Sequence, residues 1–188
     1  MGNLTFTMIK PDAVAANNHI KILQHLIDAG FRIVALRMWC MSFNDAKRFY
    51  AVHKGRDFYE ELSKFMSSGP IVAAVLEKEN AVAELRKVVG ATDPAQAAEG
   101  TIRRLYGTAV RYNAIHASDS DENARIEWSL HFKESDTRLQ TSQPGLFGVQ
   151  VPQELIWMRF AAGRGLLLGQ VCYILRAKEI EYGVQRRS

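Results

Sequence analysis

Two cysteines in 188 residues, Cys40 and Cys172, are too few for a disulfide framework, and no paired spacing suited to a metal is present. A reducing compartment is the simpler reading. Long apolar runs are also missing. The longest nearly apolar stretch, "GLLLGQVCYIL" (165–175), is too short to span a bilayer. The start, "MGNLTFTMIKPDA", lacks the basic lead and apolar run of a secretory signal. Phe6 stands where a myristoylation signal wants Ser or Thr. No internal repeat or low-complexity tract appears. These absences lead to the expectation of a cytoplasmic protein with no membrane partner.

The composition, 47% hydrophobic and 23% charged, is that of a globular protein, and the length can bury a sizeable core without staples. The formal charge of +4 is unevenly spread. Residues 1–136 hold 17 basic and 17 acidic side chains, whereas residues 137–188 hold seven basic and three acidic. The excess lies in the tail, so charge argues poorly for nucleic-acid binding by the main domain.

"NLTFTMI" (3–9) alternates Leu4, Phe6 and Met8 with small or polar residues and reads as a strand ended by Pro11. Ile20, Leu23, Leu26 and Ile27 recur at helical spacing, with Gly30 as a stop. A second strand is expected over 31–43, a helix capped by Ser42 or Asn44 after it, and a buried strand over 69–77. "ENAVAELRKVVG" reads as a helix closed by Gly90. Residues 91–113 read as a long irregular loop, which inside a compact domain is usually functional or disordered. "NAIHA" is a short strand, and Ser118 or Ser120 opens a last helix. The order predicts an α/β (α+β) domain of the ferredoxin-like βαββαβ kind, an antiparallel sheet with helices on one face and the other partly open. The boundary falls at residue 136. Residues 137–188 have neither a clean helical nor a clean strand period and form an extension to which no structure or site is assigned.

Four stretches could carry chemistry. Lys10, at a strand end and before Pro11, can aim a point charge at a phosphate; the plain alternative is a solvated lysine beside a turn. Residues 49–70 mix Tyr50, Phe58 and Tyr59 with His53, Lys54 and Arg56, which suits a base ring plus phosphate; the alternative is a helical hairpin with Phe58 and Leu62 in the core. Arg86, Thr92, Arg103 and Arg104 could converge to clamp a polyphosphate, or belong to a solvated loop. His116 stands near Asn113, Ser118 and Glu127. A neutral imidazole is a competent nucleophile near pH 7 when an acceptor holds its second nitrogen; a lone histidine is otherwise structural. His19, His25 and His131 read as structural, and so does His53 with a reservation for its place among the aromatics.

Taken together, "MIKPDA", "FYAVHKGRDFYEELSKFMSSGPIVAAVLE", "GATDPAQAAEGTIRRLYG" and "NAIHASDSDENARIE" resemble the nucleoside diphosphate kinase family, collinearly over about residues 3–133. The resemblance implies a ferredoxin-like fold and a phosphotransferase. It would move the γ-phosphate of a nucleoside triphosphate to a nucleoside diphosphate, ping-pong, through phosphohistidine at His116. It aligns Lys10 and Asn113 with residues at the sugar hydroxyl and phosphate end, and Arg86, Thr92 and Arg103 with phosphate ligands. Phe58 aligns with the aromatic that stacks on the base, with Leu62 and Val110 in the same slot. Tyr50 aligns with a tyrosine near the lysine, and Ser118 and Glu127 with the pair supporting the histidine. Mg²⁺ would ride on the nucleotide phosphates rather than in a protein cage. The family assembles as hexamers, or tetramers in some bacteria.

The chain departs from that pattern at Ala117, where glycine is usual, at Arg104 and Leu105 in "RRLYG", at Arg111 and Tyr112 in "RYN", and in "AANNHI" after "KPDAV". The rival readings are a catalytically weak nucleotide-binding or regulatory protein of the same fold, and nucleic-acid binding through the basic tail. The tail itself could wrap a neighbouring subunit, bind an acidic partner, or be a stretch of foreign origin.

Overall fold

A computed structural model describes residues 2–137. The extension expected over 137–188 therefore lies, apart from Thr137, outside the described residues. Four strands, β1 (Leu4–Ile9), β2 (Arg32–Cys40), β3 (Pro70–Glu77) and β4 (Ile115–Ala117), form one antiparallel sheet in the order β2-β3-β1-β4. β1 is central. Met8 lies opposite Ala73 of β3 on one side and His116 of β4 on the other. Eight helices accompany them: α1 (Pro11–Ala15), α2 (His19–Asp28), α3 (Phe43–Phe49), α4 (Tyr59–Met66), α5 (Ala81–Val89), α6 (Ile102–Tyr106), α7 (Asp121–Ser129) and α8 (Glu134–Thr137). This is the βαββαβ order that the apolar periodicity implied.

The expected open face is confined to one strand: apolar residues on β1 and β3 alternate between two separate cores, so the centre of the sheet is covered on both faces, while β2 leaves Leu36 and Met38 half exposed. Ile9, Val72, Ala74 and Leu76 pack with Val14, Leu26 and Leu85 on one side. Phe6, Met8, Ile71, Ala73 and Val75 pack with Ala46, Phe49, Tyr59, Met66 and Ala124 on the other. The continuous run "IVAAVL" is the sign of a strand buried on both faces. The buried stripe of α2 is Ile22, Leu23 and Leu26, while Ile20 and Ile27 stay exposed, so the helix is rotated from the face first read. The loop read over 91–113 contains α6, a single short helix that propensity alone does not announce. Ser42 and Ser120 are the residues whose hydroxyls cap α3 and α7, accepting from the backbone N–H three residues on.

The second core encloses His131. Its ring stacks near Phe6 and Phe49, at centroid distances of 5.6 and 5.4 Å, and lies 5.0 Å from Trp39. Its Nε2 is buried without a hydrogen-bond partner. Burial, aided by the Arg37 guanidinium, pushes its pKa down to about 4. The unfolded chain takes up this proton near its ordinary value of ~6.5, so between there and about 4 the unfolded state binds more protons. Stability from this group is complete above ~6.5 and is lost as pH falls through that window. Thermal melts of the parent should therefore drop between pH 7 and pH 5 by more than those of His131→Phe. Equal drops would remove His131 as a cause.

Candidate active site

The strand order sets β1 and β4 side by side, so the end of β1 and the start of β4 meet at one end of the sheet. There a cleft of about 880 Å³ opens. Its lining includes Lys10, His116, Phe49 of α3, Phe58, Arg86 and Arg103. The nucleotide-contact positions singled out from sequence are all brought to this one cleft: Lys10, Tyr50, Phe58, Leu62, Arg86, Thr92, Arg103, Val110, Asn113, His116 and Glu127. Ser118 is fully buried just beneath it.

Lys10 terminates β1. Pro11 has no N–H for a ladder and occupies the first turn of α1, where none is needed. The Lys10 side chain is only 7% exposed, and its Nζ donates to Asn113 Oδ1 at 2.6 Å. Asn113 Nδ2 in turn donates to the Thr92 carbonyl at 2.9 Å. Burial lowers the Lys10 pKa to about 8, and the Arg103 charge adds to this, while Asp12 opposes it. The ammonium has traded water for a neutral amide, which leaves it under-compensated and receptive to an anion.

Arg103 is held by the backbone. Its Nη1 donates to the Gly90 carbonyl at 3.0 Å and its Nη2 to the Ile115 carbonyl at 3.1 Å. Gly90 has φ +86°, and a Cβ there would meet Thr101 Oγ1 at 2.5 Å. Only glycine lets the end of α5 approach α6 this closely. Two carbonyls fix the guanidinium without neutralising it, and burial and Arg86 lower its pKa to about 10. Arg86 is exposed and faces the cleft. Arg104, also read as a clamp candidate, instead pairs with Glu99 at 2.9 Å and does not line the cleft.

His116 is held on every side. Its carbonyl accepts from Thr7 Oγ1 at 2.7 Å, and its ring meets Phe49 edge-on with centroids 5.2 Å apart. Glu127 lies on α7 three residues after the buried Ala124, so helical spacing turns it inward. Its Oε2 lies 2.8 Å from His116 Nε2 and also accepts from the Ser118 hydroxyl. A carboxylate accepts only, so the network assigns the hydrogen to Nε2 and the lone pair to Nδ1. Tyr50 OH is buried without a partner, and burial raises its pKa, with the Glu127 charge adding to the effect.

At the mouth, Phe58 is 45% and Val110 55% exposed, with Leu62 half-buried beside them. The core-packing alternative for Phe58 is thus excluded. His53 lies 5.3 Å from the Phe58 ring and 6.1 Å from Tyr50, nearly parallel to the latter. Sequence reasoning passed over Arg48 and Asp119, which also line the cleft. Asp119, three residues after His116, carried a signal in "HASDS"; Arg48 carried none. Among the described residues no group of three or more His, Cys, Asp or Glu could hold a metal. The cleft's carboxylates are Asp119 and Glu127, the latter occupied by His116 and Ser118. That donor set suits an ion brought in on phosphates, not a resident one. Among the described residues no helix is long and apolar enough to cross a membrane.

A family model described as nucleoside diphosphate kinase matches residues 3–137. The nucleoside diphosphate kinase of Flavobacterium psychrophilum is 56% identical over 131 residues, 69% of this chain and 94% of that one. That of Persephonella marina is 51% identical over 128 residues, 68% and 91%. Among solved structures, the nucleoside diphosphate kinase of Aquifex aeolicus superposes with a TM-score of 0.70 at 44% identity, covering 71% of this chain and 97% of that one. A halophilic nucleoside diphosphate kinase from Halobacterium salinarum, in complex with CDP, gives 0.69 at 33% identity, covering 72% and 91%.

The hydrogen-bond network makes a spectroscopic prediction. Long-range ¹H–¹⁵N correlation of the parent at neutral pH should show His116 as the Nε2–H tautomer. Glu127→Leu should abolish that preference while leaving the melt cooperative.

Proposed function

This chain belongs to the nucleoside diphosphate kinase family, a phosphotransferase acting on nucleotides, and we propose that His116 carries the phosphoryl group between donor and acceptor. The observation that carries this reading is Glu127 at His116 Nε2, which leaves Nδ1 unpaired on a side chain that lines the cleft. In the first half-reaction the Nδ1 lone pair attacks the γ-phosphorus in line. The bond to the bridging oxygen breaks, and the nucleoside diphosphate leaves with that electron pair. The ring, keeping its Nε2 hydrogen, becomes cationic opposite Glu127, whose carboxylate is already in place to balance it. A second nucleoside diphosphate reverses these steps at the same nitrogen.

Lys10, Arg86 and Arg103 would neutralise the phosphates, with Thr92 in the same lining. Asn113 would meet the sugar end, and Tyr50, kept neutral by burial, would donate beside the lysine. Phe58 would stack on the base, with Leu62 and Val110 completing the slot. A stacking slot without a reader of base edges accepts any base. Magnesium would arrive on the nucleotide, with Asp119 the cleft carboxylate able to face it, and would spread the phosphate charge.

The catalytic domain would span 1–136, and residues 137–188 would add nothing to the chemistry. The matched region supports this by ending at residue 137. A homo-oligomer, hexameric or tetrameric, is supported by the edge strand β2, which leaves Leu36 and Met38 half exposed. The low cysteine count supports a cytoplasmic location.

Incubation with [γ-³²P]ATP should leave acid-labile label on the parent and none on His116→Ala. Equal labelling of the two would overturn the assignment. The labelled parent should discharge to ADP, GDP, CDP and UDP with rates within roughly tenfold of one another. Truncation after Asp136 should preserve this turnover.

A further inference from the structure

The backbone that delivers His116 is strained two residues earlier. Ala114 has φ +67°, a region that costs any residue with a Cβ, and its side chain is fully buried. The Ile115 N–H donates to the Asn113 carbonyl at 2.8 Å, so Ala114 is the centre of a three-residue turn of the rare, strained hand. That turn fixes where Asn113 points towards Lys10 and where β4 begins. Something must hold it.

Asp12 does so from the first turn of α1. Its Oδ2 accepts from the Ala114 N–H at 3.0 Å, across 102 residues of sequence. The Ala114 carbonyl accepts from the Lys10 N–H at 2.8 Å, so both polar groups of the strained residue are tied to the "KPD" corner. The other carboxylate oxygen of Asp12, Oδ1, is buried with no partner. A part-buried carboxylate with one oxygen sequestered and unpaired is a costly way to hold one N–H, which sets it apart from an ordinary turn cap.

We infer that Asp12 is a positioning residue for phosphoryl transfer: its carboxylate holds Ala114 in the left-handed turn that aims Asn113 and His116 into the cleft. The inference rests on His116 and Lys10 acting as read above. Asp12 reaches the phosphate site by two routes. The hydrogen bond governs geometry, and hence kcat. The charge faces the Lys10 ammonium, whose other charged neighbour is Arg103, and sustains its protonation.

The two routes separate by substitution. Asp12→Asn keeps an oxygen acceptor and loses the charge. Its kcat should stay within about twofold of the parent, while the alkaline limb of its KM profile moves to lower pH, because Lys10 loses its favourable charge. Asp12→Ala loses both, and kcat should fall roughly tenfold or more through misplacement of the reacting groups. Glycine adopts positive φ freely, so Ala114→Gly in the Asp12→Ala background should recover about threefold or more of that loss, without restoring the KM profile. No recovery in the double variant, or an Asp12→Asn kcat as low as that of Asp12→Ala, overturns the inference. A purely structural role would lower melting temperatures alike and leave the pH profile unmoved, which also overturns it. Acid-labile label on the parent, absent from His116→Ala, tests the underlying assignment separately.

Discussion

The contact between Lys10 and Asn113 organises this end of the molecule. A buried ammonium is costly, and the usual remedy is a carboxylate in direct contact. Here the partner at 2.6 Å is a neutral amide, itself fixed by the Thr92 carbonyl. The cation is located but not neutralised. The same holds for Arg103, whose Nη1 and Nη2 each donate to a carbonyl, of Gly90 and Ile115, while its buried Nε has no partner and the charge is unopposed. Beyond burial, Arg103 lowers the proton affinity of Lys10, and Arg86 lowers that of Arg103. A di- or triphosphate entering the cleft would relieve this repulsion. The folded state thus stores unfavourable charge that the ligand would discharge, and placement rather than charge count decides how well.

Such a store needs stiff walls, and the two cores supply them. Because β1 is central and buried on both faces, the Lys10 corner cannot shift without disturbing packing above and below the sheet. The Phe6 and Phe49 rings pack near both His116 and His131, so the candidate nucleophile is braced by the apolar core itself. Glu127 sits at the boundary between that core and the cleft. Its proximity to the Tyr50 hydroxyl raises the phenol's pKa further, so a carboxylate placed for the imidazole also keeps its neighbour a neutral donor.

Much of this was legible in the chain, and the gaps have physical causes. Strands and helices with a strong period were located, their ends to within about four residues, and "NAIHASDS" with "IKPDA" pointed to the two ends of one site. Facing directions were harder. The run "PIVAAVL" fits a strand covered on one face or on two, and only the helices packed on each side decide it. Arg103 and Arg104 are indistinguishable by composition; a short helix turns one inward and gives the other to Glu99. Asp12 was quoted in "IKPDA" yet drew no role, because its partner is a backbone N–H 102 residues away, and backbone groups have no letter in a sequence.

The departures at Ala117, Arg111 and Tyr112 can be placed by the same logic. Arg111 ion-pairs with Glu61 of α4, and Tyr112 meets Phe65 edge-on at 4.9 Å. Both tie the segment before Asn113 to α4. Ala117 follows the candidate nucleophile on β4, half-buried at the edge of the first core, and adds apolar contact there. Arg111 and Ala117 also line the cleft. The substitutions alter how the cleft is braced, and leave intact the Lys10–Asn113–Thr92 chain and the His116–Glu127–Ser118 group on which the chemistry would run.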